Sequence, residues 1–261
     1  MNLEAYFKRI HYTGSTDVSH ATLRDLQQAH LFAVPFENLD IHIPRPIIVD
    51  EAAIYDKIVK HGRGGFCFEQ NGLFSWALRA LGFDVQLLEA RVYNADRGAF
   101  GNPFEHLTLL VVLEQRYLVD VGFGSGFIAP LRLDDPSIQV QPVGRFRITH
   151  DDAWGVYHAQ LVGEDELQPG YRFSLTPHDL HEFVAACRFI QSSPDSHFTQ
   201  KRICSLALPD GRISLTEHKL IRTWLNGDRE ETPLRNETEF HAALAEHFNI
   251  HIQTRPPQRL T

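Results

Sequence analysis

The sequence predicts an α+β protein, and three observations lead there. Apolar residues recur at three- and four-residue steps through the first third of the chain. From Asp84 the pattern changes to short β-type runs between Gly-, Pro-, Asn- and Asp-rich turns, and from about Ser193 strands mix with a helix. Helical, strand-rich and mixed parts in that order make an α+β arrangement. With 261 residues, 43% of them hydrophobic, the chain has enough apolar material for a sizeable core.

Each element has its own signal. Ser19 can cap a helix in which Leu23, Leu26, Ala29 and Ala33 share a face, and Pro35 stops it. Asp50 can cap a second helix that carries Ile54 and Ile58 and closes at Gly62. A third starts near Cys67, places Leu73, Phe74, Ala77, Leu78 and Leu81 on one stripe, and ends at Gly82. Strands are predicted over 85–93, 106–113, 117–121, 145–149 and 154–161, then a short helix over 180–189. Strands over 203–208, 213–215 and 219–224 and a helix over 237–248 complete the chain. The expected division is 1–83, 84–190 and 191–261.

Charge and cysteine usage exclude several functions. Twenty-five basic against 33 acidic residues leave a net charge of −8, so nothing draws the chain to nucleic acid or an anionic membrane. The opening MNLEAYFKRI lacks the apolar stretch of a signal peptide, and the longest apolar runs fall far below the ~20 residues that span a bilayer. Cys67, Cys187 and Cys204 are odd in number, widely spaced and without a C-x-x-C pair, so neither a disulfide framework nor a zinc site is expected. Nor do the 15 histidines, His178, His181, His241, His247 and His251 among them, form an H-E-x-x-H set. A soluble, cytoplasmic protein without a metal is the expectation.

The chemistry is concentrated in Arg63-Gly64-Gly65-Phe66-Cys67-Phe68-Glu69-Gln70-Asn71. Two glycines bring a cysteine to the first turn of an amphipathic helix, where unpaired N–H groups and the helix dipole favour the thiolate. A thiolate nucleophile wants a base, and the base an orienting acid. His106 opens an apolar strand, and Asp120 ends another, where a carboxylate needs a partner. Their spacing leaves the contact open. With Glu114-Gln115 as a two-residue turn, Leu109 would face Asp120 and His106 would point away, so a triad requires a bulge or a displaced turn.

Taken with Val34-Pro35-Phe36-Glu37-Asn38-Leu39, Asp120-Val121-Gly122-Phe123-Gly124 and Ser193-Pro194-Asp195-Ser196-His197-Phe198, this segment resembles the arylamine N-acetyltransferase family over about residues 30–200. The resemblance implies an N-terminal helical bundle, a central antiparallel β-barrel and a C-terminal α/β lid around a cysteine-protease-like or transglutaminase-like core. It implies a triad of Cys67, His106 and Asp120. It also implies acetyl transfer from acetyl-CoA to arylamines, arylhydrazines or N-hydroxyarylamines through an acetyl-cysteine, with ping-pong kinetics. Phe36, Val92 and Phe123 would line the amine pocket, and Gly124, Ser125 and Gly126 would lie near the CoA phosphates. Arg63, Glu69 and Asn71 read as supports of the nucleophile turn. The partners implied are CoA and an aromatic amine or hydrazine, with the chain a monomer or homodimer. Competing readings are an amide synthase, or a cysteine hydrolase or transglutaminase-like enzyme with the same triad. A non-catalytic small-molecule or CoA-binding protein is a further one.

Overall fold

The structure, a computed structural model, describes residues 1–252 apart from 44, 154 and 164–166. The chain opens with α1 (Leu3–Arg9), capped by Asn2, a short helix whose apolar stripe is too brief to stand out in the sequence. In α2 (His20–Ala33) Ser19 accepts from the Thr22 N–H as predicted, and the helix stops ahead of Pro35. The two-residue strand β1 (Phe36–Glu37) follows, then a 3-10 turn over Leu39–His42. Asp50 caps α3 (Glu51–Tyr55), which continues as a π-turn over Asp56–Lys60 before Gly62 turns the chain at φ +65°. The central helix α4 (Cys67–Ala80) is buried along most of its length and ends at Gly82.

A nine-stranded antiparallel sheet comes next. Its strands are β2 (Asp84–Asn94), β3 (Ala99–Phe100), β4 (His106–Val112), β5 (Arg116–Val119), β6 (Leu131–Arg132), β7 (Gln139–Gln141), β8 (Gly144–Asp151), β9 (Val156–Val162) and β10 (Leu167–His178). Apart from β3, which pairs with β2, they run β6-β5-β4-β2-β10-β9-β8-β7, and β6 returns against β8 to nearly close a barrel. Leu88, Ala90, Leu110 and Leu118 fill the barrel, whereas Leu87, Leu107, Leu109 and Val119 pack outward among the helices. Burial on both faces is why 106–112 reads as one apolar run.

The long strand β10 is absent from the strands predicted above; Pro169, Gly170 and Pro177 interrupt its β-type pattern. In the fold both prolines sit at breaks in register, between Pro169 and Tyr171 against β9 and between Phe173 and Pro177 against β2. Trp154, expected to start a strand, lies outside the described residues; β9 begins at Val156.

Beyond a 3-10 turn over Leu180–Phe183 come α5 (Val184–Ser192) and α6 (His197–Gln200). The strands β11 (Ile203–Leu208), β12 (Gly211–Thr216), β13 (Lys219–Trp224) and β14 (Arg229–Pro233) then lead to α7 (Glu237–Phe248). This second sheet runs β1-β11-β12-β13-β14, so its edge is borrowed from the helical part: Phe36 pairs with Ser205 and Glu37 with Cys204. Cys204, Leu215, Phe240, Leu244 and Phe248 form its core with Leu39. One face of the sheet is thereby packed on α7, and the other is turned toward the start of α4. Among the described residues no helix is long and apolar enough to cross a membrane.

Candidate active site

Cys67 is the first residue of α4 and almost fully buried. Its helix start is held by Glu69, whose Oε2 accepts from the Phe66 N–H at 3.1 Å. Below it lies a buried ionic cluster. Lys57 Nζ reaches Glu69 at 2.7 Å and Asp40 at 2.9 Å, and Arg63 reaches Glu37 at 2.8 Å and Asp40 at 2.9 Å. Burial alone would discharge Lys57, but Glu69, Glu37 and Asp40 hold it protonated. A second chain of hydrogen bonds supports the loop from the other side. Tyr6 donates to His30 Nδ1 (2.8 Å), His30 Nε2 to Gln70 Oε1 (3.0 Å), and Gln70 Nε2 to the Gly65 carbonyl (3.1 Å). Burial pushes His30 down to about 3, so the ring is neutral, in the tautomer this chain assigns.

Strand β4 delivers His106 and the end of β5 delivers Asp120. Their contact is His106 Nε2 to Asp120 Oδ2 at 2.6 Å, with both side chains buried. Asp120 Oδ1 accepts from Asn71 Nδ2 at 2.9 Å and from the Gly122 N–H at 2.8 Å. Asn71 stands one turn after Cys67 and also clamps the Leu107 carbonyl (2.6 Å) and the Val121 N–H (3.0 Å). It therefore ties the helix that bears Cys67 to both strands. Gly122 is required by close approach: a Cβ there would lie 2.7 Å from the Cys67 Cα.

Burial would lower the His106 imidazole, but the Asp120 carboxylate, and to a lesser extent the Cys67 side chain, outweigh it and push it up. Burial likewise acts to raise Asp120, yet His106, Asn71 and the Gly122 N–H together hold it below the usual carboxylate range. An imidazole paired with a carboxylate, sharing a cavity with a thiol, is a set of groups able to carry out nucleophilic acyl chemistry.

A cavity of about 680 Å³ opens over Cys67 and His106. Phe36, Val92 and Phe123 line it, as do Gly124 and Ser125; Gly126 faces the adjoining cavities instead. Tyr171, on the unforeseen strand β10, went unnoticed in the sequence. Its ring lies 5.1 Å from that of His106 and 5.0 Å from that of Phe123, and its hydroxyl contacts Thr108 Oγ1 at 3.1 Å. Burial and the Asp120 charge raise the phenol well above its ordinary value, so it is neutral. Among the described residues no group of three or more His, Cys, Asp or Glu side chains converges to hold a metal ion.

A family model for N-acetyltransferase matches residues 19–256. The chain belongs to the arylamine N-acetyltransferase family. It is 38% identical to a chicken arylamine N-acetyltransferase, pineal gland isozyme NAT-3, over 96% of this chain and 94% of that protein. The arylamine N-acetyltransferase from Salmonella typhimurium superposes with a TM-score of 0.91 at 32% identity, covering 98% of this chain and 93% of that one. The Mycobacterium marinum arylamine N-acetyltransferase in complex with CoA superposes at 0.87, with 32% identity over 95% of this chain and 93% of that one. As a member of this acyltransferase family the chain has the fold that the resemblance implied: helices, a nearly closed barrel-like sheet and an α/β part, on a cysteine-protease-like plan.

Proposed function

We propose that this chain transfers the acetyl group of acetyl-CoA to arylamines, arylhydrazines or N-hydroxyarylamines, with Cys67 as nucleophile, His106 as proton carrier and Asp120 as the acid that orients the ring. The observation that carries this reading is the buried 2.6 Å pair of His106 and Asp120, with His106 and Cys67 lining one cavity. In the resting state the Cys67 thiolate faces the His106 imidazolium. The sulfur attacks the thioester carbonyl; the bond to CoA breaks, and the departing thiolate takes the proton from His106. The amine nitrogen then attacks acetyl-Cys67. Its proton passes to His106 as the carbon–sulfur bond breaks, which restores the starting ion pair.

The Cys67 N–H, free at the first turn of α4, is the proposed donor to the tetrahedral oxyanion. Phe36, Val92 and Phe123 form the apolar wall for a neutral aromatic amine. Gly124, Ser125 and Gly126 are proposed to lie along the path of the cosubstrate, Gly124 with φ +79° exposing backbone that a side chain would cover.

Mass spectrometry after brief incubation with acetyl-CoA tests the reading. One acetyl group should appear on Cys67, vanish in Cys67→Ala and be discharged by an aromatic amine. Peptide cleavage without an acetyl adduct would instead assign the site to a hydrolase.

A further inference from the structure

The face of the second sheet that looks onto the cavity carries a polar strip. Ser205 and Ser214 pair across β11 and β12, with hydroxyls 2.9 Å apart, and Arg212 stands two residues before Ser214 on the same face. All three line the cavity over Cys67 and His106. Arg212 also lines the adjoining cavity of about 410 Å³, whose walls include Phe127, Phe146 and Trp224, and Phe123 is shared by both. The guanidinium therefore stands at the junction of two spaces that meet at Phe123.

Arg212, partly buried, differs from the other arginines held inside the fold. Arg63 has two carboxylates, and Arg9 donates to four carbonyl oxygens. Arg212 has one side-chain hydrogen bond among the described residues, from Nη1 to Ser205 Oγ at 2.9 Å, and no carboxylate partner there. Burial pushes it down to about 10 with no acid to offset that cost, which still leaves it charged at neutral pH. A guanidinium held this way presents unused donors to an incoming anion.

We propose that Arg212 is a specificity-determining residue that receives the carboxylate of an acidic aromatic acceptor, with the amine directed at acetyl-Cys67. The proposal rests on the acetyl-transfer reading above. A phosphate of the cosubstrate has the same anionic chemistry, but the cavity that Arg212 shares with Cys67 is walled by Phe36, Val92 and Phe123 and holds a planar ring better than a hydrated polyphosphate.

The test compares kcat/KM for 4-aminobenzoate and for 4-aminobenzamide, its neutral counterpart, in the full chain and in Arg212→Met and Arg212→Lys. One charge-assisted contact makes the benzoate-to-benzamide ratio fall by about tenfold or more in Arg212→Met, and Arg212→Lys keeps part of it. An unchanged ratio overturns the proposal. A parallel comparison of acetyl-CoA with p-nitrophenyl acetate as donor separates the two anions. Selective loss with acetyl-CoA, the acceptor ratio unmoved, assigns the guanidinium to a cosubstrate phosphate and overturns the acceptor role. Should Arg212→Met fail to fold, inhibition of the unaltered protein decides: benzoate should compete with the amine about tenfold more tightly than benzamide, and equal inhibition overturns the proposal. Absence of acetyl-Cys67 in the unaltered protein would sink the transfer reading itself, and is read separately by mass.

Discussion

Leu109 pairs with Val119 across the β4–β5 ladder, one residue short of Asp120. The connection is thus three residues, 113–115, rather than two, and one further step along the ladder sets Thr108 opposite Asp120. His106 lies two residues beyond Thr108 on the same face, so it meets Asp120 as a diagonal neighbour across the strands. A two-residue turn would have sent the imidazole to the other face. The displaced turn is the device that the sequence required without specifying.

Asp120 is held by two donors besides His106, so Asp120→Asn should keep the fold while disturbing the imidazole. The rate of acetyl-enzyme formation should fall by about 10²–10⁴, followed by stopped-flow release of CoA, with a near-native circular dichroism spectrum. Near-normal rates would remove Asp120 from the chemistry.

Lys57 lies among three buried carboxylates, with Nζ 2.7 Å from Glu69 and 2.9 Å from Asp40. Lys57→Met strands those charges, and a loss of about 3–5 kcal/mol is expected in urea unfolding. Because Glu69 also caps the Phe66 N–H, the acetylation rate should drop too. A loss below about 1 kcal/mol would show that the cluster relaxes or takes up protons.

His106 is pushed up to about 10, above the ordinary value of roughly 6.5 for an unfolded chain. A group raised on folding stabilises fully below its unfolded value and loses that contribution as pH rises through its folded one. The difference in Tm between the native chain and His106→Gln should therefore be largest near pH 6 and shrink toward pH 10. A gap that widens with pH would contradict the ion pair.

All three cysteines are free and buried, but only Cys67 lines the cavity. Burial pushes Cys187 up to about 12 and Cys204 well above its ordinary value. Iodoacetamide at mildly acidic pH should label Cys67 well ahead of both, as read by peptide mapping. Equal labelling would show that the nucleophile lacks activation.

Long elements with an unbroken period were legible: α4 from its apolar stripe and glycine stop, and α7 with the limits 237–248. Strand β10 was not, because proline and glycine mark turns in a sequence, whereas here the prolines sit at register breaks inside a sheet. With β10 went Tyr171, and nothing local to that residue announces its contacts with His106 and Phe123. His30 was lost among 15 histidines, since only packing distinguishes a buried ring from a surface one.

Residue types and their local order thus determined the helix that bears Cys67, the apolar strands on either side, and the family to which the motifs belong. Tertiary structure alone decided how the imidazole and the carboxylate named by the resemblance come to meet, that β1 leaves the helical part to edge the second sheet, and that Arg212 stands without an acid among the described residues. The physical reason is range. Helix caps and apolar periodicity act over a few residues, whereas register, burial and charge pairing depend on which segments, tens of residues apart, come into contact.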